Sequence, residues 1–216
     1  MTVTEKRQPS RPPGRPKDEA LQQRRCEAIL SEAATLFAKH GFTATDVQWI
    51  ADALKISKGT IYRYFPTKEK LFLAAVERGI ARMQQHLESA REGLTDKIEE
   101  IRASVVAYLQ FFKKNPQLVE LFIQERAEFR TRHRPIYFQN RDLRRGPWRE
   151  HLADLIAEGR IRQMPVDRVL DVLGDVLYGT MFTNHFAGRD KPFDAQAQDI
   201  LDVVFNGILS DTERKV

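Results

Sequence analysis

The sequence predicts an all-α protein of about nine helices, and three observations carry that reading. Apolar residues recur at spacings of three and four along most of the chain. No segment shows convincing period-two alternation, a hairpin dipeptide or an internal repeat of roughly 20–50 residues. Helix-starting residues stand before the apolar stretches, and glycine or proline stands after several of them. With 216 residues, 42% of them hydrophobic and 30% charged, the chain has the material for a buried core. No apolar run approaches the roughly 18 residues of a membrane span, and the N-terminus lacks the apolar segment of a secretory signal. Cys26 is the only cysteine, which excludes an internal disulfide framework and a cysteine-rich zinc site. These features point to a cytoplasmic protein with no membrane partner.

The elements follow in order. Residues 1–17 contain four prolines and no apolar periodicity, and read as a flexible basic arm. Leu21, Ile29, Ala33, Leu36 and Phe37 mark a first helix over about 18–39, stopped by Gly41. Thr45 is a candidate N-cap for a short second helix through Leu54, and Ser57 for a third ending near Tyr64. Pro66 breaks the chain, and a long fourth helix runs from Lys68 to about Ala90. Five further stretches follow: Asp96–Lys114, Pro116–Arg130, a broken Pro135–Gly159, Asp167–Ala187 and Asp194–Leu209. Asn115 before Pro116 is a strong helix start, and Gly146-Pro147 is expected to break or kink the seventh helix.

Charge is distributed unevenly. The net charge is +5, and residues 1–70 carry all of it, with 13 basic against 8 acidic side chains. Residues 71–216 hold 22 of each. Such asymmetry suits a polyanion, nucleic acid before anionic membrane; a solubilising basic tail is the plainer reading.

The segment from 41 to 72, GFTATDVQWIADALKISKGTIYRYFPTKEKLF, carries the chemistry. Ile50 and Ala51 give one helix an inner face, and small Ala51 lets a second helix cross closely. Leu54-Lys55-Ile56 makes a short turn, and Ser57 opens a helix of barely two turns. Lys58, Gly59 and Thr60 at its start are free to enter a major groove, while Ile61 and Phe65 hold it to the core. Lys58 can donate to guanine O6 or N7. Gly59 lets backbone approach closely, Thr60 and Tyr62 offer hydroxyls, and the Tyr62 ring suits a thymine methyl. Gln48, on the preceding helix, is placed for adenine or a phosphate. Thr45 and Lys68 sit at helix starts, whose free N–H groups attract phosphate.

Through Ala33, Leu36-Phe37, Gly41-Phe42, Thr45, Ile50-Ala51, Ser57 to Tyr62, Tyr64-Phe65, Lys68 and Lys70-Leu71-Phe72, the sequence resembles the TetR/AcrR family of bacterial transcriptional regulators. The resemblance covers about residues 20–75. It implies an all-helical homodimer, with a helix–turn–helix domain over 18–66 and a ligand-binding and dimerisation domain over 67–216. It also implies phosphate contacts by Tyr64 and Lys68. Alternatives stay open: Tyr64 as a core residue, Gln48 and Lys58 as plain surface, Trp49 as a partly buried anchor or a contact to the arm or a sugar. In the arm, Gly14-Arg15-Pro16 is similar to the centre of an AT-hook, with Arg15 entering a minor groove, although Pro13 replaces the usual preceding arginine.

The last two helices are apolar on more than one face. Val169, Leu170, Val172, Leu173, Val176, Leu177 and Met181 crowd one; Ile200, Leu201, Val203, Val204, Phe205, Ile208 and Leu209 crowd the other. Two stripes need two partners, which predicts a four-helix dimer interface, with Gly174, Gly179 and Gly207 permitting close approach. The resemblance implies a cavity among the middle helices for an unknown small-molecule effector. Tyr108, Phe112, Phe122, Arg126, Phe129, Trp148, Tyr178 and Phe182 are the candidates for lining it, with core packing as the alternative. Eight arginines over 126–149 face only Glu128 and Asp142, and three readings stand: a solvated face paired with nearby acids, a seat for an anionic ligand, or a contact to DNA or protein.

No nucleophile elbow, phosphate loop or dinucleotide fingerprint occurs, and the five histidines form no ligand pair at metal spacing. The expectation is therefore no enzyme, no catalytic residue, no cofactor and no metal. The function read from the sequence is a repressor that binds a palindromic double-stranded operator and is released by an effector. The alternative is a nucleoid or division factor with this fold and no effector.

Overall fold

The structure, a computed structural model, describes residues 19–131, 134–189 and 191–207. The arm with Arg15, and Ile208 and Leu209 at the other end, lie outside the described residues. Within them are ten helices and no strand: α1 Glu19–His40, α2 Val47–Ala53, α3 Lys58–Tyr64, α4 Lys68–Arg91, α5 Lys97–Lys114, α6 Pro116–Glu128, α7 Ile136–Leu143, α8 Arg145–Ala157, α9 Val166–Ala187 and α10 Phe193–Asn206.

Local chemistry accounts for most of the boundaries. α1 buries Ile29, Leu30, Ala33 and Phe37 on one face and stops at Gly41, whose φ of +83° suits glycine and whose N–H donates to the Phe37 carbonyl at 2.8 Å. Ser57 caps α3 by accepting from Thr60 N, and Thr67 caps α4 by accepting from Lys70 N, both at 3.1 Å. Asp96 caps α5 with one oxygen accepting from Ile98 N at 2.8 Å and Glu99 N at 3.0 Å.

Three expectations need correction. The cap of α2 is Asp46, not Thr45: its carboxylate accepts from Gln48 N at 2.8 Å. The break in the 135–159 stretch falls at Arg144, and Gly146-Pro147 lies inside the first turn of α8, where a missing N–H forfeits no helical bond. α6 ends at Glu128 rather than Arg130, because the Phe129 ring turns away to pack against Phe42 and Phe72, with centroids 4.9 and 5.5 Å apart.

α1 packs on both α4 and α6, so the N-terminal helices share one apolar core with the rest of the chain. α4 and α5 form the spine; α10 lies on α5, and α9 lies against α5 and α8. At the α4–α6 crossing a Cβ on Gly79 would sit 2.5 Å from the Leu118 side chain, which would have to shift to admit a larger residue. α9 buries only Met181, although it is one of the most apolar helices, and Val172, Phe186 and Val203 on α9 and α10 are at least half exposed. Among the described residues no helix is long and apolar enough to cross a membrane, and no group of His, Cys, Asp and Glu could hold a metal ion.

Candidate functional site

The α2–turn–α3 unit is built on three fully buried residues. Ile50 and Ala51 on α2 and Ile61 on α3 have no exposed surface. The turn between the helices passes through Lys55 at φ +54°, a left-handed conformation that a lysine holds only at some energetic cost. The turn closes by N–H bonds from Lys55 to the Asp52 carbonyl at 3.1 Å and from Ile56 to Ala51 at 3.0 Å.

With Ile61 inward, α3 turns Gly59 and Tyr62 to solvent and leaves Lys58 and Thr60 half-buried. Among the described residues a Cβ on Gly59 would meet only Ser57 Oγ at 3.9 Å, so none of them requires glycine there. The Thr60 hydroxyl lies 2.9 Å from Ser57 Oγ. Lys58 Nζ donates to Asp46 Oδ1 at 2.7 Å, and Gln48 Nε2 donates to Asp52 Oδ1 at 2.7 Å. The Gln48 N–H and the Lys58 ammonium together hold the Asp46 carboxyl below the usual carboxylate range. Trp49 is exposed and set edge-on against His40 at 5.2 Å. Tyr64 is half-buried, with the Arg63 guanidinium 5.7 Å over its ring.

Two sequence candidates are engaged inside the molecule. Thr45 is 1% exposed, and its hydroxyl donates to the Gly41 carbonyl at 2.7 Å and the Leu36 carbonyl at 3.2 Å. Its side chain therefore fixes the α1–α2 connection and does not face outward. Lys68 Nζ donates to the Thr43 carbonyl at 2.9 Å and lies over the Phe42 ring at 4.8 Å; burial lowers its pKa. The same connection is gripped by α6: Thr43 Oγ1 donates to Glu128 Oε1 at 3.1 Å, and Gln124 Nε2 donates to the Phe37 carbonyl at 2.8 Å.

Away from α3, a cavity of about 220 Å³ lies among α4, α5, α7, α8 and α9. Its walls are mostly aliphatic, with Met83, Leu87, Ile101, Val105, Leu173 and Leu177 among them. Of the eight sequence candidates, Tyr108 and Trp148 line it. Phe122, Arg126 and Tyr178 line a second, more open groove instead. Phe112, Phe129 and Phe182 line neither. Phe112 is buried against Tyr108 and Phe111, Phe129 belongs to the core beneath α1, and Phe182 sits between Tyr178 and Phe186. Tyr137 lines both spaces, and its hydroxyl lies 3.0 Å from that of Tyr108. Burial pushes the Tyr108 phenol well up and that of Tyr137 up to about 12, so both stay neutral.

The sequence candidates omitted the cavity's charged edge, formed by Arg91, Arg141, Arg144, Arg145 and Glu88. The arginine run over 126–149 was its signal. Arg134, Arg141, Arg144, Arg145 and Arg149 each pair with a carboxylate.

The model for bacterial regulatory proteins of the tetR family matches residues 29–75, the stretch that holds Ile50, Ala51, Lys55 and the whole of α3. Over these residues the chain is similar to the tetR family. The chain is 31% identical over 97 residues to the HTH-type transcriptional repressor NicS of Pseudomonas putida, covering 45% of this chain and 46% of that protein. It spans about half the length of the curated relatives it matches. The fold of the chain is similar to that of the fatty acid degradation regulator FadR from Bacillus halodurans. The TM-score is 0.71 at 19% identity, over 85% of this chain and 95% of that one. It is also similar to FadR from Bacillus subtilis in complex with stearoyl-CoA, with a TM-score of 0.65 at 18% identity, over 85% and 99%.

Proposed function

We propose that the chain is a sequence-specific DNA-binding repressor, a cytoplasmic homodimer released from a palindromic operator by a small molecule in the cavity. The observation that carries this reading is α3. A Ser57-capped helix, anchored by Ile61, offers Lys58, Gly59 and Tyr62 on the side away from the core. Lys58 reads guanine and Tyr62 a thymine methyl, while Thr60 and Gln48 supply polar contacts. Tyr64 is assigned to the phosphate backbone. The division into 18–66 for DNA and 67–216 for ligand and dimer belongs to the same proposal, as does the Arg15 arm.

Dimerisation is argued from the exposed apolar surface of α9 and α10. A Cβ on Gly179 would meet nothing within 4 Å among the described residues, which leaves room for a second copy to approach closely there. Two α3 helices set about 34–36 Å apart enter successive major grooves. The effector link runs through the grip of α4 and α6 on residues 37–43. A movement of either helix repositions α2 and α3, and a coupling of about 1–3 kcal/mol weakens operator binding roughly 5- to 150-fold. The cavity favours this reading over a nucleoid factor without an effector, and the FadR complex with stearoyl-CoA shows a neighbour of this fold holding a ligand. No step of this reading calls for catalysis.

The test is selection of bound sequences from random DNA by the purified protein. A palindrome with half-sites about one helical turn apart supports the proposal; retention of DNA without sequence enrichment overturns it.

A further inference from the structure

The cavity's walls and its edge ask for different chemistry. The walls are largely aliphatic, with the Trp148 indole on one side. The edge carries four arginines against one carboxylate, Glu88. Three of the arginines are held by acids. Arg141 pairs with Asp175 at 3.1 Å, Arg145 with Asp167 at 2.9 Å and Asp171 at 2.7 Å, and Arg144 with Glu88. Asp167, Asp171 and Asp175 do not line the cavity, so they anchor Arg141 and Arg145 from outside it. Among the described residues Arg91 pairs with no carboxylate; its guanidinium lies 4.8 Å from the Trp148 ring centroid and its Nε donates to the Leu87 carbonyl. The Arg141 Nε is buried and makes no hydrogen bond among the described residues. Guanidinium groups beside a partly dry cavity bind carboxylate and phosphate strongly, because the fork geometry matches both.

Glu88 already occupies one of these seats. It lies near the C-terminal end of α4, and its partner Arg144 is the residue joining α7 to α8. The other end of α4 carries Lys68, bonded to the Thr43 carbonyl beside α2. About twenty residues of helix, roughly 30 Å, separate the two.

We propose that the cavity binds an amphipathic carboxylate whose apolar body fills the aliphatic walls and whose head takes the place of Glu88 on Arg144. This rests on the repressor reading only for its consequence. Displacing Glu88 frees the far end of α4 from the α7–α8 junction, and α4 transmits the release to the α1–α2 connection. Binding itself stands apart from that reading. At about 220 Å³ the cavity lies below the ~300–1,000 Å³ of typical ligand pockets, which favours a single medium-length chain over a bulky molecule.

The experiment is calorimetric titration of the full chain with decanoate, decanol and decyl phosphate, each below its micellar concentration. Decanoate is expected to bind at least tenfold more tightly than decanol. Arg144→Gln should narrow that difference while leaving decanol affinity unchanged, which also shows that the cavity is intact. Glu88→Gln should tighten decanoate binding by removing the internal competitor. Equal affinity for decanoate and decanol, or no binding of either, overturns the proposal. Tenfold preference for decyl phosphate over decanoate overturns the carboxylate assignment in favour of a phosphate head. Operator binding without any ligand is measured in parallel. Binding of DNA with no binding of decanoate removes this inference and leaves the repressor; binding of decanoate with no DNA affinity does the reverse; binding of both with no effect of decanoate on DNA overturns the proposed release through α4.

Discussion

Lys58 Nζ sits 2.7 Å from Asp46 Oδ1, so the first side chain of α3 is held by the residue that caps α2. Asp46 is exposed and Lys58 half-buried, and the same carboxylate also accepts from Gln48 N. Asp46 therefore does two things that one substitution can separate. Asparagine keeps an oxygen for the cap and removes the charge that holds Lys58. Asp46→Asn should leave the melting temperature nearly unchanged and strengthen binding to unrelated DNA, since a free ammonium pairs with any phosphate. Lys58→Ala should weaken operator binding by on the order of tenfold or more. Equal operator affinity for wild type and Lys58→Ala would remove that residue from the interface.

Gly59 offers a sharper separation of fold from contact. A methyl group there meets nothing closer than Ser57 Oγ at 3.9 Å, and the residue lies within the first turn of α3. Gly59→Ala should stabilise the fold slightly, by up to about 1 kcal/mol from helix propensity. Operator affinity should fall at least tenfold, because the added methyl occupies the space that DNA backbone or a base edge needs. Thermal melting and a binding titration on the same preparation check both halves; full affinity in the alanine variant would falsify the close approach.

Thr45 separates in the opposite sense. Its hydroxyl is spent on the Leu36 and Gly41 carbonyls inside the protein. Thr45→Val keeps the shape and loses both bonds, which should cost about 1–2 kcal/mol of stability. Operator affinity well below the melting temperature should stay near that of wild type. The reverse result, a stable variant with poor affinity, would turn the hydroxyl toward a phosphate after all.

Much of this site was legible because it is local. Ser57 before a short stretch with Ile61 and Phe65 four apart defines a capped, anchored helix, and the structure has that helix. The cap of α2 was harder to read. Thr45 and Asp46 are adjacent and both are good caps; the choice fell to Asp46 because the Thr45 hydroxyl bonds back to the end of α1. The left-handed turn at Lys55 carries no glycine or asparagine to announce it. The cavity was least legible. Aromatic residues were the visible signal, yet Phe112 and Phe129 serve the core, and most of the lining is leucine, isoleucine and arginine gathered from five helices. Helix periodicity shows which face is apolar; it does not show where five such faces fail to meet.

Acid should loosen the fold through its capping aspartates. The Glu99 N–H and the Arg160 guanidinium hold the Asp96 carboxyl below its ordinary value, and Asp46 is lowered by Gln48 N and Lys58. A carboxylate with a depressed folded pKa adds stability that is fully present above the unfolded value of about 3.9 and is lost as pH falls through the folded one. The contribution of these groups to the melting temperature should be flat from pH 7 to 5 and fall below about pH 4. Asp46→Asn with Asp96→Asn should flatten that acid limb. A limb as steep in the double variant as in wild type would assign the acid sensitivity to other groups.

The last expectation concerns assembly. Val172 is 50% exposed, Phe186 70% and Val203 52%, on two helices where Val169, Leu173, Leu177, Ile200 and Phe205 already pack on the protomer's own core. A single protomer would leave that surface in water, and in the proposed homodimer a second copy would cover it. Because Val203 is exposed in the protomer, Val203→Asp should fold normally and still fail to dimerise, since a carboxylate sealed in an apolar contact without a partner costs several kcal/mol. The more buried Leu201, 2% exposed on the same helix, is the contrast: Leu201→Asp should unfold the chain. Loss of the dimer should also abolish high-affinity operator binding, because each half-site then forfeits the effective concentration supplied by its twin. Sedimentation at micromolar concentration decides it. A wild-type monomer with full operator affinity would remove both the two-fold interface and the palindromic operator.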